Sequence, residues 1–92
     1  MKPAQLSHDL REILRGFPKP VRAEAGIMIQ RTQQVFGKPH LHSGLGLRRL
    51  IKDYYEVRVG LKLRLIFKNE KEVLSFLFIG NHDQVQTFFK RI

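Results

Sequence analysis

Apolar residues change their interval along this chain, and the changes mark its elements. Leu6, Leu10, Ile13, Leu14 and Phe17 recur at helical spacing behind Ser7 and Asp9. Gly16 and the Pro18-Lys19-Pro20 segment end that helix, and Pro20 suits the first turn of the next. In the second helix Val21, Ala25, Met28, Ile29, Thr32, Val35 and Phe36 form the stripe to be buried, while Arg22, Glu24, Arg31, Gln33 and Gln34 stay wet. Gly37 and Pro39 stop it. The short proline-containing joint predicts an antiparallel helical hairpin. From Pro39 to Leu50 the glycines predict an irregular loop leading into a strand.

At Tyr54 the interval becomes two. Tyr55, Val57 and Val59 alternate with Tyr54, Glu56 and Arg58, and Leu63, Leu65 and Phe67 alternate with Lys62, Arg64 and Lys68. A hairpin turning at Gly60 keeps the two faces separate only if Val59 lies opposite Leu63. That register sets Val57 opposite Leu65, Tyr55 opposite Phe67 and Arg58 opposite Arg64. The run from Val73 to Ile79 is almost wholly apolar and suits a strand covered on both faces. After Gly80, Asn81 can cap a last helix, with Gln84 three residues on as in a capping box. Val85, Phe88, Phe89 and Ile92 give that helix its apolar side. The predicted class is α+β: a two-helix hairpin on an antiparallel sheet of three to four strands, with a C-terminal helix, in one domain over residues 1–92.

Charge adds the first functional information. Seventeen Lys and Arg against eight Asp and Glu give a net charge of +9 in 92 residues. Such an excess draws polyanions, and RNA heads the list. The basic residues do not gather on one amphipathic helix, which speaks against a membrane-surface role. No run approaches the roughly 20 apolar residues of a membrane span, and no secretory signal is evident. The absence of cysteine fits a reducing cytosol. A cytoplasmic protein without membrane attachment is expected.

Two features can carry chemistry. Arg58 and Arg64 are like charges opposed across the hairpin, which is unfavourable unless something compensates them. Glu56, a diagonal neighbour of Arg64, can do part of this, and a bound phosphate more, since the guanidinium fork matches phosphate oxygens. His82 stands in the first turn of the last helix, where backbone N–H groups favour an anion, and an imidazole there can serve as general acid or base. If these groups share one concave surface, they supply what RNA cleavage by the substrate's own 2′-hydroxyl needs: proton carriers and cations on the crowded phosphate. No metal or other cofactor is needed for that route. His40 and His42 lack further ligands nearby to complete a metal site; His42 is the candidate for a second acid or base.

The run from His40-Leu41-His42 through Gly44, Leu45 and Leu50, then YEVRVG (Tyr55 to Gly60), RLIF (Arg64 to Phe67) and IGNHDQV (Ile79 to Val85) resembles the RelE/ParE superfamily, the toxins of bacterial toxin–antitoxin modules. The resemblance covers roughly residues 6 to 90 and includes the joint Phe17-Pro18-Lys19. It implies a microbial-ribonuclease-like fold and, for the RelE-like branch, cleavage of mRNA on the ribosome. It also implies a site of Arg58, Arg64 and His82, with Asp83 orienting the histidine. Arg48, Arg49, Lys62 and Phe88 are the further residues expected to bind RNA. The implied partners are mRNA on the ribosome and a cognate antitoxin with an acidic or flexible neutralising segment. Two departures stand out. Many members open with a β-strand, and this chain shows almost none before its first helix, so a sheet lacking that strand is expected. Many also carry an aromatic residue soon after the histidine, where Gln86 stands here, so base stacking falls to Phe88. The alternative readings are a ParE-like, non-catalytic inhibitor of DNA gyrase and a degenerate member that only binds RNA or antitoxin.

Overall fold

A computed structural model describes residues Met1–Ile92. The elements run β1 (Ala4–Leu6), α1 (His8–Arg15), α2 (Lys19–Val35), α3 (Pro39–Leu45), β2 (Arg48–Ile51), β3 (Tyr54–Val59), β4 (Leu63–Asn69), β5 (Leu74–Gly80) and α4 (His82–Lys90). The strands form one sheet in the order β1-β5-β4-β3-β2. The class is α+β, as the hydrophobic pattern requires, with a sheet one strand wider than the upper expectation. No helix is long and apolar enough to cross a membrane.

The extra strand is β1. Its three residues pair parallel with Leu74, Ser75 and Phe76 at the sheet's edge. Three residues are too few to display a period, and the pairing is with the far end of the chain. Leu6 therefore belongs to this strand, while Ser7 caps α1 by accepting the Leu10 N–H at 3.1 Å. The segment expected to be an irregular loop also holds α3. Pro39 opens that helix, and Gly46, at φ 76° in the left-handed region, closes it. Glycine and proline there are helix punctuation rather than loop residues.

The hairpin has the predicted register: Val59 opposite Leu63, Val57 opposite Leu65, Tyr55 opposite Phe67 and Arg58 opposite Arg64. One face of the sheet meets α1 and α2, and Leu10, Ala25, Met28 and Ile29 close over Val57, Leu65, Phe67, Phe76 and Ile79. Phe67 stacks on Tyr55 at 5.4 Å and tilts against Phe76 at 4.9 Å. The opposite face meets α4, where Phe78 stacks on Phe88 at 5.0 Å and Tyr54 meets Phe89 edge-on at 5.4 Å. A bulge makes both layers possible. Phe67 pairs with Phe76 but Ile66 pairs with Phe78, so Leu77 is the additional residue and the two phenylalanines face opposite layers. The capping box forms as predicted, with Asn81 accepting the Gln84 N–H and the Gln84 side chain accepting the Asn81 N–H.

Candidate functional site

The face under α4 is apolar only where α4 covers it. Toward the Gly60 turn it carries Glu56, Arg58 and Arg64, and Arg48 of β2 joins them because it pairs with Glu56. The Glu56 side chain is only 4% exposed, and one carboxylate oxygen, Oε2, lies 2.9 Å from Arg48 Nε and 3.6 Å from Arg64 Nη1. A buried carboxylate would be costly alone; bridging two guanidinium groups offsets its desolvation. Arg58 has no ion-pair partner. Three cations against one anion leave two positive charges facing an open pocket of about 310 Å³, rimmed by Ser43 and Gly46.

Arg58 is placed by more than its strand. A Cβ on Gly46 would come within 3.1–3.3 Å of the Arg58 Cβ, Cγ and Cδ atoms, so the bare glycine lets the arginine stem lie along the end of α3. Its guanidinium head stays wet while the methylenes pack. His82 enters from the other side. Arg64 pairs with Gly80 at the end of β5, Asn81 caps α4, and His82 is the first residue of that helix. The imidazole is exposed and lines a second pocket that Arg48 and Glu56 also line. The arrangement is a cationic hollow with an imidazole in the pocket next to it, the two sharing Arg48 and Glu56.

No protein-family model matches the sequence, and no curated protein sequence matches it either. Solved structures do match. RelE in the RelB–RelE antitoxin–toxin complex of Methanococcus jannaschii superimposes with a TM-score of 0.69, at 16% identity, over 94% of this chain and 99% of that one. An arginine-substituted variant of the E. coli toxin RelE in its free state gives 0.68, at 18% identity, over 99% and 97%. The archaeal RelE–RelB complex of Pyrococcus horikoshii gives 0.64, at 15% identity, over 87% and 93%. The chain has the RelE toxin fold.

Within that RelE fold the residues singled out from the sequence separate into two groups. Arg48, Arg58, Arg64 and His82 share one face. The others do not join them. His42 lies on α3 with its ring stacked on Phe36 at 5.9 Å and Nε2 3.1 Å from the Val35 carbonyl, packed against the end of α2 and turned toward the hairpin layer. Asp83 lies on the flank of α4 next to α1, with Asp9 and Glu12, because consecutive helical residues diverge by about 100°. It makes no ion pair or hydrogen bond to His82. Phe88 stacks on Phe78 and meets Phe89 edge-on, and it lines the pocket beside α1 rather than the arginine hollow. Arg49 pairs with Tyr55, hence faces the hairpin layer, and its Nε donates to the Lys52 carbonyl at 2.6 Å. Lys62 is exposed at the hairpin tip beside Pro20 and Val21. Two points escaped the sequence reading: that Glu56, expected to compensate Arg64, also anchors Arg48, and that Gly46 seats Arg58. The first depends on the β2–β3 register, which a bulge between Arg49 and Ile51 disguises. The second had a signal, an isolated glycine at a helix end.

Proposed function

We propose that this chain is the toxin of a toxin–antitoxin pair and an mRNA endoribonuclease that works on the ribosome without a metal. The observation that carries the reading is the gathering of Arg48, Arg58 and Arg64 on one sheet face, with His82 at the first turn of the helix that crosses it. In this reading the scissile phosphate occupies the hollow beside Arg58 and Arg64. The 2′-hydroxyl of the preceding ribose attacks phosphorus, the bond to the 5′-oxygen breaks, and a 2′,3′-cyclic phosphate forms. Negative charge grows on the non-bridging oxygens as five groups crowd the phosphorus, and prepositioned guanidinium groups stabilise that state more than the ground state. His82 moves one of the two protons, as base toward the 2′-hydroxyl or as acid toward the leaving oxygen. In-line attack places these oxygens on opposite sides of the phosphorus. With His42 packed away, a group from outside the chain, water or ribosomal, supplies the other transfer.

The relatives of known structure from Methanococcus jannaschii and Pyrococcus horikoshii are complexes with RelB antitoxins. By that likeness, a cognate antitoxin with an acidic segment over the arginines is the expected neutraliser. Induced expression in a bacterial host tests the whole reading. Rapid arrest of protein synthesis with transcripts cut inside codons, relieved by co-expressing the antitoxin, is the expected result. Loss of DNA supercoiling with intact transcripts would replace it with the gyrase-inhibitor reading, and harmless expression would leave binding alone.

A further inference from the structure

The cationic hollow adjoins a second open trough, of about 620 Å³, between α4 and β2; Arg48 and Glu56 line both. This volume falls within the roughly 300–1,000 Å³ of small-ligand sites. Its walls differ from those of the hollow. Leu50 and Ile51 of β2 stand across from Val85 and Phe89 of α4. Ile51 is 57% exposed, an apolar side chain left in water beside the arginine cluster. Beside His82, the polar groups at the rim are exposed Gln86 and Lys90, on successive turns of α4, and neither of these two makes a hydrogen bond or ion pair within the chain. Two apolar walls with an unengaged amide above them suit a flat, aromatic ligand with hydrogen-bonding edges.

We infer that this trough holds a nucleobase next to the phosphate gripped by Arg58 and Arg64, and that Gln86 reads its edge. The inference rests on the proposed function for RNA as the substrate class. A phosphate in the hollow puts the attached ribose and base within one nucleotide's length of Arg48, where the trough begins. The carboxamide presents a donor and an acceptor side by side, so it can match a mixed donor–acceptor base edge, which a guanidinium, carrying donors only, cannot. The apolar walls contact any base, and the amide sets the preference.

Nuclear magnetic resonance on the full chain tests this with three probes: inorganic phosphate, ribose 5-phosphate and the four nucleoside 3′-monophosphates. The Arg58 and Arg64 Nε signals are expected to move with all of them. The Gln86 side-chain amide and the Ile51 methyl signals are expected to move only with the nucleotides. Affinities for the four bases should differ by about fivefold or more, the low end for an edge-reading amide. Gln86→Leu should level that ranking while leaving the response to phosphate intact. Equal shifts of Gln86 and Ile51 with ribose 5-phosphate, or an unchanged ranking in Gln86→Leu, would overturn the base site. The two proposals fail separately. A chain that cuts RNA while Gln86 ignores the base keeps the reaction and loses the base site. A chain that ranks bases yet cuts no RNA keeps the base site and loses the reaction.

Discussion

The two faces of this sheet are built from alternate residues of the same strands, and they have opposite uses. Val57, Val59, Leu65 and Phe67 look toward α1 and α2 and are sealed. Glu56, Arg58 and Arg64 occupy the intervening positions and look toward α4, which covers only part of its layer. On the first face every contact is packing, and energy is lost in proportion to the atoms removed. On the second, one buried carboxylate holds two guanidinium groups and a third stands opposed to one of them, an arrangement that packing alone would not favour. Stability and chemistry are thus separated by a single step along the strand.

That separation can be broken from either side. Phe67→Ala removes the fully buried ring at the centre of the aromatic cluster and should cost about 3–5 kcal/mol, enough to unfold much of so small a domain; urea denaturation reads it. His82→Ala should lower RNA cleavage by about 10²–10⁴-fold and shift the urea midpoint negligibly. A His82 variant that loses stability as well as cleavage would mean that the imidazole is a packing group. Arg58→Ala should lower cleavage by about 10²-fold and leave stability unchanged or raised by up to about 0.5 kcal/mol, since a like-charge contact with Arg64 disappears. Glu56→Gln sits between the regimes: it should cost about 1–2 kcal/mol, tighten binding of an uncleavable 2′-deoxy RNA by removing a negative charge, and slow cleavage as Arg64 loses its anchor. The smallest effect is expected at His42→Gln, which should leave cleavage within about twofold of the parent and cost about 1 kcal/mol of stability for the Phe36 stack. Full loss of cleavage there would restore His42 to the site.

The hairpin register was legible because its faces differ so sharply that a slip by one residue would bury Arg58 and Arg64 and expose Val57 and Leu65. The last helix was legible because Asn81 and Gln84 announce it. β1 was not, since its pairing is long-range and its length below one visible repeat. α3 was not, since Pro39 and Gly46 are punctuation shared by helices and loops. At the site the sequence located residues of the β3–β4 hairpin well, and residues of β2 and the helices less well. Two-residue alternation tells which way a strand residue faces, so Arg58 and Arg64 follow from the pattern. Helical direction depends on where the axis lies: a turn of about 100° sends Asp83 toward α1 while His82 borders the arginines. His42 shows the same limit, since nothing in HLHSGLG says which side of α3 will lean on Phe36.

The pairing of β1 bears on how the molecule is made. Ala4 lies beside Leu74, seventy positions later, and Lys2 reaches Asn69 and the Glu70 carbonyl at 2.6 Å each. The hairpin that carries the arginines closes through a short local turn, whereas this edge must join distant ends at a much larger entropic cost. During synthesis β1 emerges well before β5 and has no partner strand until β5 follows. The hairpin that carries Arg58 and Arg64 can therefore pair before the β1 edge of the sheet is complete.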